Sequence, residues 1–152
     1  FSWARIYASP DRGTNKQGFA AAAPDNESIV YVSTSAGLSV VTNAAAAGPD
    51  GAVLTPIPLP GGPAGPLAVG GDGRIYIATQ PDTAGHVATL WGNRITADGG
   101  VALAWQDQSD DLWRNAISET REIAVGGDGA VYVALTGGVF VLDHPAVPAA
   151  GG

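Results

Sequence analysis

The stretch Ala68-Val-Gly-Gly-Asp-Gly-Arg-Ile-Tyr-Ile-Ala78 decides the fold, because it returns as Ala124-Val-Gly-Gly-Asp-Gly-Ala-Val-Tyr-Val-Ala134. Eight of the eleven positions are identical and two of the other three exchange Ile for Val. The chemistry of one copy is that of a hairpin. A short apolar run, Leu67 to Val69 or Ile123 to Val125, meets Gly-Gly-Asp-Gly. Asp-Gly supplies the positive backbone angles of a tight turn. The residues that follow alternate, with Ile75 and Ile77 on one face and Tyr76 and Ala78 on the other. β-Branched and aromatic side chains in that pattern suit a pleated, half-buried strand. Equivalent residues in successive copies serve packing, so Tyr76 and Tyr132 are assigned to the core.

Working outward, a weaker copy lies upstream at Ala21-Ala-Ala-Pro-Asp-Asn-Glu-Ser-Ile-Val-Tyr-Val-Ser33. The spacings are 45 residues from Tyr31 to Tyr76 and 56 from Ala68 to Ala124. Both lie near the roughly 40–50 residues of one propeller blade. Third strands are expected at Gly37–Thr42, Val87–Trp91 and Val139–Asp143. Fourth strands are expected at Ala52–Leu59 and Val101–Trp105. Pro56, Pro58 and Pro60 suit an outer edge strand, where a missing N–H costs little. The units run approximately over 19–60, 66–107 and 122–143. Trp3–Ala8, within residues 1–8, reads as the outer strand that the third unit lacks. The alanines cluster with Gly and Pro and carry no 3.6-residue apolar period, so helix is confined to a turn or two over Asp110–Ser118.

Residues 124–143, AVGGDGAVYVALTGGVFVLD, resemble a blade of the bacterial β-propellers in the quinoprotein-like and sialidase-type (Asp-box) repeat families. Residues 21–42, AAAPDNESIVYVSTSAGLSVVT, resemble the same blade core. Ser9-Pro-Asp11-Arg-Gly13-Thr14 is similar to the Asp-box turn, Ser-x-Asp-x-Gly-x-x-Trp, with Lys16 where that motif has Trp. The resemblance implies an all-β fold of about three four-stranded antiparallel meanders, the blades of a β-propeller. Closed propellers have at least four blades. Three units therefore belong to a larger propeller or to one completed by association, most simply two chains giving six blades.

Composition sets the limits. The 152 residues carry 7 Lys plus Arg against 14 Asp plus Glu, a net charge of -7. That surface repels nucleic acid and anionic lipid. Hydrophobic residues make up 45%, enough for a core, and charged residues only 14%. No apolar run reaches the ~18 residues of a membrane span. Gly and Pro supply 22 and 11 residues, which excludes a coiled coil or helical bundle. There is no Cys, hence no disulfide, thiolate nucleophile or zinc–thiolate site. There is no Met, so Phe1 is not a translation start; a cleaved leader or a longer parent chain accounts for it. Both features fit a secreted, periplasmic or cell-surface location.

The unusual segment is Trp105-Gln-Asp-Gln-Ser-Asp-Asp-Leu-Trp-Arg-Asn115, with two Trp, three Asp and one Arg. Aromatic faces stack on sugar rings and carboxylates accept hydroxyl hydrogen bonds. Trp105, Asp107, Asp110, Asp111, Trp113 and Arg114 therefore form a candidate carbohydrate site. The competing reading packs Trp105 between blades and uses Trp113 to cover an insertion. Calcium at Asp107, Asp110 and Asp111 lacks the alternating spacing of known loops. His86 and His144 have no His at i+4, and no Gly-x-Ser-x-Gly elbow is present. No catalytic residue, metal or cofactor is assigned. The repeated Gly-Gly-Asp-Gly is turn chemistry, since no lysine or helix start follows it. The expected role is binding or assembly, with another copy or another propeller chain as partner. A carbohydrate-active enzyme or lectin is the alternative.

Overall fold

The computed structural model describes residues 18–34, 36–49, 51–109 and 120–147. They form eleven strands in three antiparallel sheets taken in chain order. The first sheet holds β1 (Phe19–Ala23), β2 (Asn26–Thr34), β3 (Gly37–Val41) and β4 (Thr55–Ile57). The second holds β5 (Ala64–Val69), β6 (Arg74–Thr79), β7 (Thr89–Arg94) and β8 (Gln106–Asp107). The third holds β9 (Thr120–Val125), β10 (Val131–Leu135) and β11 (Gly138–Leu142). Among the described residues the third sheet has no fourth strand. Trp3–Ala8 and Asp110–Ser118 lie outside the described residues.

Both repeated turns close the same way. Gly70 N–H donates to the Arg74 carbonyl (2.9 Å) and Gly73 N–H to the Gly70 carbonyl (3.1 Å). Gly126 to Ala130 and Gly129 to Gly126 repeat this at 2.9 and 3.0 Å. Asp72 and Asp128 each accept the backbone N–H two residues on, at 3.1 Å. Gly73 and Gly129 take the positive φ, 78° and 85°, where a side chain would strain the backbone. The motif is a hairpin loop between two strands.

Three strand expectations need correction. The third strand of the second sheet runs over Thr89–Arg94 instead of Val87–Trp91. A turn pins the chain before it: Asp82 Oδ1 accepts from Ala84 and His86 N–H at 3.0 and 3.1 Å. The Ala52–Leu59 strand shrinks to Thr55–Ile57, because Pro58 has no N–H to continue the ladder. Val101–Trp105 is not a strand; Val101 makes one isolated bridge to Ile95, and pairing resumes at Gly92 with Gln106. Buried Asn93 fills the gap. Its side-chain amide donates to the Leu103 carbonyl (2.9 Å) and its Oδ1 accepts the Leu103 N–H (3.1 Å), standing in for backbone partners.

The first strands of the three sheets neighbour one another, β5 lying against both β1 and β9. Two apolar cores fill the spaces between sheets. Tyr31, Leu38 and Val40 of the first sheet meet Leu67, Ile75 and Ile77 of the second. Ala68, Tyr76, Ala78 and Leu90 on the opposite face of the second sheet meet Ile123, Val131, Val133 and Leu135 of the third. Hydrogen bonds cross both gaps. Ser33 Oγ donates to the Gly65 carbonyl (2.7 Å), and Gln80 Nε2 to the Thr120 carbonyl (3.4 Å).

Gly92 shows how closely the second core is packed. It faces Tyr76 across the ladder, and a Cβ there would stand 2.5 Å from Val147 Cγ2 and 3.3 Å from Tyr76 Cε1. Val147 reaches this place because Ala146 N–H is held by Gln108 Oε1 at 2.8 Å. Gly92→Val is expected to lower stability by about 1–3 kcal/mol through overpacking. Denaturant unfolding measures it, and an unchanged midpoint would show that Val147 does not occupy this space.

Candidate functional site

Each sheet carries the same cross-strand pair. Ala21 lies opposite Tyr31, Ala68 opposite Tyr76, and Ala124 opposite Tyr132. Directly opposed residues share a face, and alternation puts their neighbours on the other one. The tyrosine face of one sheet therefore packs on the Ile/Val face of the next. Tyr31 and Tyr76, covered this way, are each 0% exposed.

Tyr132 is 43% exposed. The third sheet's tyrosine face has no sheet over it among the described residues. Register places Ala124, Tyr132, Ala134, Val139 and Val141 on that face. Val139 and Val141 are 72% and 53% exposed, while Val131 and Val133 on the opposite face are buried. This corrects the assignment of Tyr132 to the core. The repeat makes the residue, but burial needs a following sheet. Tyr132 belongs to the third of the three copies, and among the described residues no sheet follows that copy to cover it.

The covered tyrosines sit in apolar surroundings. Neither hydroxyl has a hydrogen-bond partner. Burial first, and the Asp98 charge second, push the Tyr31 phenol up to about 12. Burial also raises Tyr76 to about 12, with Arg74 opposing and Asp72 reinforcing the shift. Arg74 Nη1 is paired with Asp72 Oδ2 at 3.0 Å. The Gly71–Asp72 turn and the Gly126–Gly129 turn line one cleft of about 450 Å³.

The expected carbohydrate residues are placed as follows. Trp105 is half-buried and packs at the margin of the core between the first two sheets. Its indole N–H donates to the Pro58 carbonyl, just past β4, at 2.8 Å. Asp107 is exposed on β8 opposite Trp91, and its Oδ1 accepts the Ser109 N–H at 2.8 Å. Asp110, Asp111, Trp113 and Arg114 lie outside the described residues. His86 Nδ1 donates to Asp82 Oδ2 at 2.7 Å. That bond is the main reason the Asp82 carboxyl sits below the usual carboxylate range. His144 lies exposed beyond β11. Among the described residues no three of His, Cys, Asp or Glu come together to hold a metal, and no helix is long and apolar enough to cross a membrane.

In comparisons with known proteins, no family model and no curated protein matches this chain.

Proposed function

We propose that the chain is a β-propeller-type module that works outside the cytoplasm by assembly, each of its three sheets serving as a blade. The exposure of Tyr132 carries this reading. Tyr31 and Tyr76 are wholly covered, and the third copy presents the same Ala–Tyr chemistry to solvent. A face holding Tyr132, Val139 and Val141 gains free energy by losing water, at roughly 25 cal/mol per Å² of apolar surface. Such a face marks an interaction site. The carbohydrate reading is less favoured, since the Trp105 indole N–H is already engaged by the Pro58 carbonyl between the first two sheets.

Concentration-dependent sedimentation tests the proposal. The wild-type chain is expected to exceed its 15.2 kDa mass as concentration rises. Tyr132→Lys, a change at an exposed position, is expected to hold it at a single chain with unfolding unchanged. A wild-type chain that stays single at its highest soluble concentration would overturn the assembly reading.

A further inference from the structure

We infer that the occupant of the third sheet's tyrosine face is the first sheet of a second copy, docked head to tail. This deepens the assembly reading and rests on it. The series of interfaces inside the chain has a direction: the tyrosine face of each sheet meets the Ile/Val face of the next. The second sheet receives Tyr31 on Ile75 and Ile77, and the third receives Tyr76 on Val131 and Val133. The corresponding positions of the first sheet are Val30 and Val32, flanking Tyr31 as Ile75 and Ile77 flank Tyr76.

Register puts Ala20 and Ala22 beside Val32 and Val30 on that face. Ala20 and Ala22 are exposed, Val30 and Val32 are half-buried, and Val41, opposite Val30 on the same face, is buried. The chain thus ends its described stack with one donor face and one receiving face of matching chemistry. The external contact continues two interfaces already present within the fold.

Charge does not oppose the contact. The donor face carries one carboxylate, Glu122 opposite Ala134, and Ala20, Ala22, Val30 and Val32 carry no charge. A contact between different faces leaves the pair with one free donor and one free receiver. It therefore extends until it closes. The described sheets of two copies number six, within the four to eight blades of closed propellers. A tyrosine-face to tyrosine-face dimer would leave Val30 and Val32 uncovered and place the two Glu122 carboxylates on one interface.

Two variants and their mixture separate these arrangements. Tyr132→Lys spoils the donor face, and Ala22→Lys spoils the receiving face at an exposed position. Val30→Lys serves as a second receiving-face variant, and circular dichroism checks that each variant folds. Each variant alone is expected to remain at 15.2 kDa by sedimentation. An equimolar mixture of the two is expected to form a two-chain species, since one intact donor still meets one intact receiver. If the wild type assembles and Tyr132→Lys blocks it, yet both receiving-face variants assemble normally, the head-to-tail inference fails and the assembly reading stands. A mixture that stays single also overturns the inference. A wild type that never assembles overturns the reading on which the inference rests.

Discussion

Tyr76→Ala is expected to lower stability by about 3–5 kcal/mol, the range for emptying a buried aromatic site. Tyr132→Ala, at the same position of the next repeat, is expected to cost about 1 kcal/mol or less in dilute solution. The side chain and the strand context are alike, and so is the alanine opposite. Only the covering sheet differs. Tyr76 is enclosed by Ile123, Val131 and Val133, whereas Tyr132 faces solvent. Denaturant unfolding of the two variants below the concentration of assembly measures the difference directly. Equal losses would mean that the third sheet is covered like the second.

Alkaline unfolding should show the second large effect. The Tyr31 and Tyr76 phenols titrate near 10.0 when unfolded and near 12 when folded. A raised folded value means that folding favours the protonated phenol. The contribution is fully present below pH 10 and is lost as pH rises from there to about 12. Two units correspond to about 2–3 kcal/mol for each tyrosine. Stability measured against pH should therefore be flat through the high single digits and then fall steeply. The Tyr31→Phe, Tyr76→Phe double variant should lack most of this fall. Because both hydroxyls are buried without partners, it should be no less stable at neutral pH. An unchanged alkaline fall in that variant would assign it to other groups.

The strands were legible where local chemistry dictates them. Gly73 and Gly129 fix their hairpins whatever surrounds them, and the alternation around Tyr31, Tyr76 and Tyr132 sets which residues share a face. The outer strands were not legible, because their pairing depends on side chains distant in sequence. Asn93 bonding to Leu103 delays β8 until Gln106, and no local pattern in Val101–Trp105 reveals it. The Trp105–Arg114 segment stood out by composition, yet the partner of Trp105 is Pro58, 47 residues away. The docking face was hidden for the opposite reason. Its residues look like core residues, and only their place on the last described sheet exposes them.

Tyr132 waits for a sheet that Tyr31 and Tyr76 already have. Hydroxyl-radical footprinting, read at each tyrosine over a range of protein concentrations, tests it most directly. In dilute solution Tyr132 should be labelled while Tyr31 and Tyr76 are protected, and labelling of Tyr132 should fade as copies associate. Labelling of Tyr132 that stays the same at every concentration, or equal labelling of Tyr31, Tyr76 and Tyr132, would contradict the account.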